Sequence, residues 1–329
     1  MRRVVAEAPL RRVRLGPPLD APNVEISGLD WLRSRRGPEH DRLVFLPQYP
    51  ERVGGVLFTA TRSEVAAAVW DRATLHPRTL PIALKDTRSG CLVLPLETLA
   101  SGSPGYEGFE AIAFIGDRAF LTTERSLEDG SSDGIVFPAV LDSGFGLLLI
   151  TRESRRLRRQ VRYGNLAYEA LVATGEPPAL ALHEVNGAPN ERPVAFAIWE
   201  SERAEGRLDV EPRPAPPLEY RVTDATSADR TGRFWVTNYF WPGEAWTPGP
   251  DALIAVHGQG PSHGRSSAVE RLVELRFDGE QVTLTGRAPI SLALGPVPRN
   301  WEGVVRFGRG FLVVTDRHPE TILAYVEAP

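Results

Sequence analysis

The stretch 300–317, NWEGVVRFGRGFLVVTDR, decides the fold. An acidic residue and a glycine lead a short apolar run, a glycine turn follows, and a second apolar run ends on a carboxylate. Short runs rich in β-branched residues and bounded by turn formers read as two strands of a hairpin. The phrase recurs at 108–125 (GFEAIAFIGDRAFLTTER), 167–184 (AYEALVATGEPPALALHE) and 222–238 (VTDATSADRTGRFWVTN). A looser copy lies at 28–48 (GLDWLRSRRGPEHDRLVFLPQ).

Aligning the acidic residues brings Asp30, Glu110, Glu169, Asp224 and Glu302 into one column. A small residue follows in four copies (Ala111, Ala170, Ala225, Gly303), with Trp31 in the fifth. A second polar residue closes the following strand: Gln48, Glu124, Glu184, Asn238 and Asp316, at separations of 18, 14, 15, 14 and 14 residues. Self-similarity at long period, carried by strands, is the signature of a repeat β architecture. Successive phrases stand 80, 59, 55 and 78 residues apart. Each interval can hold a four-stranded antiparallel sheet with long loops, which is a propeller blade. The last phrase leaves room for only three strands before the C-terminus, and RRVRL at 11–15 is a natural fourth. Closing a ring with strands from both ends removes exposed sheet edges. The expectation is therefore an all-β protein, a closed β-propeller forming one domain over 1–329. Five blades are favoured; six also fit, because the two long intervals can conceal another blade. A pair of β-sandwiches is the structural alternative, but it gives no reason for equivalent carboxylates in every repeat.

Composition agrees with this and narrows the function. Gly and Pro, 30 and 29 residues, are scattered along the chain and cut it into strand-sized pieces. Helical periodicity is nearly absent; RSEVAAAVWDRA, from residue 62, is the best helical candidate, read as an excursion between strands, and GLLLITRESRRLRRQVR (146–162) is read as strand. A net charge of −4 gives no reason to expect nucleic acid or an anionic membrane as partner. One cysteine, Cys91, excludes intramolecular disulfides and thiolate zinc clusters. No apolar run reaches the roughly 18 residues of a membrane helix, and the charged start MRRVVAEAPLRRVRLG is unlike a signal peptide, so the expected location is the cytoplasm.

In a propeller the first strand of each blade lines the central channel, so a residue at one place in every repeat is carried around the axis. Five carboxylates at the head of that strand converge on one mouth. Like charges in desolvated space repel and raise one another's pKa. Such a ring needs protons, hydrogen-bond donors, arginines or a bound cation. Oxygen-only donors suit a hard cation, Ca²⁺ ahead of Mg²⁺. The candidate metal ligands are Glu110, Glu169, Glu302, Asp30 and Asp224, with the amides of Asn165 and Asn300 close by. The competing reading gives repeated Asp and Glu a structural task, accepting backbone N–H bonds between blades. The outer set ending each second strand (Gln48, Glu124, Glu184, Asn238, Asp316) supplies further candidates for ligand contact, and the arginine that follows it twice (Arg125, Arg317) reads either as the salt-bridge partner of the preceding carboxylate or as a grip for an anionic ligand.

The phrases GFEAIAF…RAFLTTER, NLAYEAL and NWEGVVRF…FLVVTDR resemble the phytase-like, or "esterase-like activity of phytase", propeller family, and more distantly the calcium-dependent lactonase-type propellers. The resemblance implies a propeller with a central calcium ion bound by the Glu of the EG phrase, a role falling first on Glu302, then on Glu110 and Glu169. Asp30 and Asp224 depart from that pattern, and the lactonase-type relatives have six blades where five phrases are counted here. The implied activity is metal-assisted hydrolysis of a phosphoester, ester or lactone, with a small molecule as substrate. A non-catalytic propeller that binds a ligand or protein is the alternative.

Outside the phrases, the loop HGQGPSHGRSSAVER (257–271) holds His263 and Arg265, candidates for reaching a ligand over the channel mouth. Its glycines lack the G-K-[ST] of a nucleotide loop. The aromatic cluster in NYFWPGEAW (238–246) reads as a loop anchored by buried rings. DSGFG at 142–146 is not a G-x-S-x-G elbow, so a serine nucleophile has no support. No catalytic residue is nominated.

Overall fold

The computed structural model describes residues 4–22, 24–86, 92–175, 178–201, 207–316 and 320–329. Most regular elements are strands. After β1 (Leu10–Val13), an antiparallel sheet is built in order from β2 (Ile26–Leu32), β3 (Arg42–Pro47), β4 (Val56–Thr61) and β5 (Arg78–Asp86). The short β6 (Leu92–Leu94) pairs with the end of β5. The second sheet comprises β7 (Tyr106–Ile115), β8 (Arg118–Ser126), β9 (Ser132–Asp142) and β10 (Gly146–Ile150), with β11 (Arg155–Leu157) added to β9. A parallel pairing of β10 with β5 joins these two sheets at their outer edges.

The third sheet is β12 (Ala170–Ala173), β13 (Ala179–Leu182), β14 (Val194–Glu200) and β15 (Leu208–Pro214). The fourth is β16 (Arg221–Ala225), β17 (Arg233–Phe240), β18 (Val269–Phe277) and β19 (Val282–Leu284), with β20 (Ile290–Ser291) also against β18. The last is β21 (Trp301–Phe307), β22 (Gly310–Thr315) and β23 (Leu323–Glu327), and β1 completes it, antiparallel to β23. The N-terminal segment thus supplies the fourth strand of the C-terminal sheet. This succession of four-stranded antiparallel sheets is consistent with a β-propeller.

Burial follows position in the sheet. The first strands β2, β7, β12 and β21 are buried on both faces, and their sequences are accordingly near-continuous apolar runs. The outer strand β15 is half-exposed and alternates with charge. In the two clearest phrases the first hairpin closes through two residues, Gly116–Asp117 and Gly308–Arg309. Both glycines have positive φ, 63° and 57°, as a tight turn with the native strand twist requires.

The apolar core is partitioned between consecutive sheets. One cluster joins sheets one and two around Phe109 and Leu121, another sheets two and three around Tyr168, a third sheets three and four around Phe234, and a fourth sheets four and five around Trp235 and Phe311. A fifth joins the last sheet back to the first: Trp31 of β2 stacks on Phe307 of β21 at 6.0 Å and donates from its indole N–H to the Arg306 carbonyl at 3.0 Å. Helix α1 (Arg62–Trp70) covers this seam between β4 and β5, started by a capping box in which Thr61 and Glu64 bond each other's backbone N–H. The first strands touch in the same order: β2 lies beside β7 and β21, β12 beside β7 and β16, and β16 beside β21. Among the described residues no helix is long and apolar enough to cross a membrane.

Candidate functional site

Glu110 and Glu302 occupy matching irregularities. The register of β7 against β8 slips between Phe109 and Ala111, and that of β21 against β22 between Trp301 and Gly303. A bulge leaves one residue unpaired and re-aims its side chain. Glu169 stands immediately ahead of β12. The three carboxylates meet: one oxygen from each lies within 4.8 Å of the others, and the residues are only 3–6% exposed. The small residue behind each acid has a packing reason where it is glycine. A Cβ on Gly303 would stand 2.5 Å from Val314 Cγ1 and 2.8 Å from Leu29 Cγ.

Crowding and burial show in the protonation equilibria. Burial, then repulsion from Glu169, Glu124 and Glu302, pushes Glu110 well above the usual carboxylate range. Burial and the Glu169 charge do the same to Glu302. Glu169 is pushed up to about 7 by burial, with Arg221 opposing. Glu124 is also pushed up to about 7 by burial, partly offset by a hydrogen bond with Ser132.

Two amides orient the acids. Gln48 Nε2 donates to Glu110 Oε1 at 3.4 Å, and Asn300 Nδ2 to Glu302 Oε1 at 2.5 Å and to Asp316 at 3.1 Å. Among the described residues the one guanidinium paired with an acid of this trio is Arg221, at the start of β16. It pairs with Glu169 at 3.2 Å, with Glu184, and with Glu244 of the loop after β17 at 3.4 Å. Burial disfavours its charge, but Glu169, Glu244 and Glu302 hold its pKa above the ordinary arginine value. Three buried acceptor oxygens around the centre, Glu124 Oε1, Glu184 Oε2 and Asn300 Oδ1, have no hydrogen-bond donor among the described residues. Oxygen donors, excess negative charge and acceptors without donors together fit a hard divalent cation.

Asp30 and Asp224 are not part of this trio. Asp30 accepts the N–H groups of Phe114 in β7 at 2.6 Å and Trp31 at 2.8 Å, and the Ser227 hydroxyl at 3.2 Å. Asp224 accepts the Val304 N–H in β21 at 2.6 Å. Both carboxylates tie one sheet's first strand to its neighbour, the structural task that competed with metal binding in the sequence. Burial raises Asp30 to about 6 and Asp224 well above its usual range despite these donors. In β2 the register slips between Ile26 and Gly28, so the residue matching Glu110 and Glu302 is Ser27, and aligning on Asp30 was out of step by three.

The remaining candidates divide. Gln48, Glu124, Glu184 and Asp316 surround the acidic centre, as given above. Asn238 lies within sheet four, donating to the Glu219 and Arg221 carbonyls at 3.0 Å each and accepting from Arg271 at 2.8 Å. Arg125 is not paired with Glu124; it holds Asp133 through two bonds of 3.0 and 2.9 Å. Asn165 is exposed at a φ of 55°, its N–H donated to the Ser132 hydroxyl. His263 is buried between Glu7, at 2.9 Å, and the backbone of Glu270, so it fixes the N-terminal segment; Arg265 is exposed. Arg317 lies outside the described residues. Trp246 packs on Tyr163 and Phe240, which anchors the aromatic loop as expected.

Sequence reasoning missed Arg221 and Glu244. Arg221 and Arg299 are the two basic residues within three places ahead of an aligned acid. Arg299 turns to Glu270 at 2.7 Å, so spacing alone separates neither from the other.

No family model and no curated protein matches the chain. Among solved structures it is similar to a glucose dehydrogenase (13% identity, 93% of this chain and 97% of that one, TM-score 0.45). It is also similar to the soluble aldose sugar dehydrogenase from Escherichia coli in its apo form (12%, 94% and 98%, TM-score 0.41). A third likeness is to a structure described for a mannoside phosphorylase family containing glycoside hydrolases that target β-1,2 mannosidic linkages (8%, 100% and 97%, TM-score 0.45).

Proposed function

We infer that the chain is a single five-bladed propeller, closed by β1 on β23, whose axis carries a Ca²⁺ site formed by Glu110, Glu169 and Glu302. The observation that carries this reading is the meeting of those carboxylates, separated by up to 192 residues in sequence, within 4.8 Å. The core that joins the last sheet to the first supports closure. The resemblance to phytase-like propellers supports a metal-assisted hydrolase acting on a phosphoester, ester or lactone. When bound, the ion supplies charge to polarise a phosphoryl or carbonyl oxygen. Gln48 and Asn300 keep two ligands facing the axis, and Arg221 neutralises part of the surplus charge from one side. Glu124, buried with one oxygen undonated and titrating at about 7, is suited to hold a proton taken from water near neutral pH.

A structural, non-catalytic ion in a binding propeller is the second reading, favoured by the low exposure of all three glutamates. Titration calorimetry with Ca²⁺ on the chelated protein, beside an esterase, lactonase and phosphatase screen, tests both. One site per chain, lost in Glu302→Gln together with turnover, is the expected result. Absence of Ca²⁺ binding in the parent protein would sink the metal reading; binding with no turnover on any ester would leave the structural ion.

A further inference from the structure

A second site stands at the opposite end of the first sheet. There the residues after β2 and the start of β3 open a cleft of about 450 Å³, lined by Arg33, Arg36, Arg42 and Arg78 and, as its apolar part, by Leu32 and Leu141. It is about 17 Å along β2 from Ser27, at roughly 3.3 Å per residue, and so is separate from the glutamate centre. The volume falls in the range of small-molecule sites, about 300–1,000 Å³.

The charges are unevenly matched. Arg33 pairs with buried Asp41 at 2.9 Å, and Arg78 with Glu64 at 2.9 Å. Arg36 and Arg42 have no ion-pair partner among the described residues. The loop presenting them is held in shape: Asp41 also accepts the Ser34 N–H at 2.9 Å, and the Ser34 hydroxyl accepts the Arg36 N–H at 3.1 Å. His40 in the same wall is engaged by Glu39 at 3.6 Å. Two uncompensated guanidinium groups therefore face one cleft in a protein whose net charge is −4.

We propose that this cleft binds a small phosphorylated molecule, its phosphoryl dianion gripped by Arg36 and Arg42 and its carbon portion resting on Leu32 and Leu141. The charge fits, because two guanidinium forks match one dianion and present planar donors to its oxygens. The apolar part fits, because it gives an organic phosphate a contact that inorganic phosphate lacks.

Calorimetric titration of the full chain at low ionic strength with phenyl phosphate and with inorganic phosphate tests the proposal. The expected result is one phenyl phosphate per chain, bound more tightly than inorganic phosphate. Arg36→Ala/Arg42→Ala should weaken binding at least about tenfold, and Arg36→Lys/Arg42→Lys by less. Arg192→Ala/Arg230→Ala removes the same charge from exposed positions elsewhere and should bind like the parent. Melting curves check that every variant is folded. No heat with either ligand, or equal weakening in both alanine pairs, would overturn the site; the latter outcome means a diffuse surface field.

Discussion

Raising the pH from about 6.5 to about 8.5 in the presence of a chelator should destabilise the protein, and calcium should reverse the loss. In the unfolded chain the glutamates ionise near their ordinary value of 4.5 and carry no proton in this range. In the folded chain Glu124 and Glu169 titrate at about 7, and Glu110 and Glu302 well above the ordinary value. The native state therefore binds more protons than the unfolded state, so stability falls as pH rises through the folded pKa values. A carboxyl at about 7 loses roughly 0.8 kcal/mol of stabilisation across this window. One that stays protonated throughout loses up to about 2.7 kcal/mol, at about 1.4 kcal/mol per unit. The two acids at about 7 account for about 1.6 kcal/mol, and Glu110 and Glu302 add to the loss in the same direction. At roughly 1–3 °C per kcal/mol for a chain of this length, the melting temperature should drop by at least about 2 °C. His183, lowered to about 4 by burial, acts with the opposite sign: it is half-protonated in the unfolded chain at about pH 6.5, so it returns about 0.4 kcal/mol of stability across the window and offsets only a small part of the loss. The assay is differential scanning calorimetry at both pH values, with chelator and then with calcium. Glu110→Gln and Glu302→Gln should each flatten the pH dependence. A melting temperature that stays level or rises with pH in chelator, or variants that keep the parent's slope, would refute the account of this centre.

Other perturbations separate its parts. Arg221→Met removes the cation facing Glu169, Glu184 and Glu244, so the chelated protein should lose about 3–5 kcal/mol while calcium binds more tightly than in the parent; thermal melts and calorimetric titration read the two effects, and weaker calcium binding would contradict the assigned role. Asp30→Ala and Asp224→Ala each leave a buried backbone N–H without its acceptor, for a loss of about 1–3 kcal/mol; calcium affinity should stay within about threefold, and its disappearance in a folded variant would mean that these aspartates do belong to the ion site. Gly303→Ala places a Cβ against Val314 and Leu29 and should cost about 1–3 kcal/mol by overpacking, seen as a shifted denaturation midpoint.

Much of the architecture was legible because the successive sheets repeat one local problem. Glu110 and Glu302 precede small residues and two-residue glycine turns, and both hairpins form where the repeated phrase places them. The donation of RRVRL to the last sheet followed from counting strands after Glu302, and β1 does pair with β23. Less was legible wherever a partner is set by tertiary approach. Arg125 was read beside Glu124 because they adjoin in sequence, but successive strand residues point to opposite faces, and Arg125 reaches Asp133 across the β8–β9 ladder. Glu244 comes from an irregular loop whose path no periodicity encodes, so its contact with Arg221 had no signal at all.

The split between the acidic residues has a physical rule within it. Asp224 lies inside the β16 register slip, as Glu302 does in β21, yet it bonds the Val304 N–H while Glu302 joins the trio. The difference is one methylene: an aspartate beside the backbone is short enough to accept from the adjacent strand, whereas a glutamate carries its carboxylate past that strand. Asp30 does the same from three residues deeper in β2, reaching Phe114 of β7. Aspartates at the head of these strands thus act as staples between sheets, and glutamates as contributors to the centre. The residues at the matching places also account for the narrowness of the trio. With Ser27 and Asp224 at two of the aligned places, three carboxylates converge, and the Arg221 guanidinium, itself from β16, reaches Glu169. Two carboxylates fewer at these places lower the charge that protons, Arg221 and a bound cation have to offset.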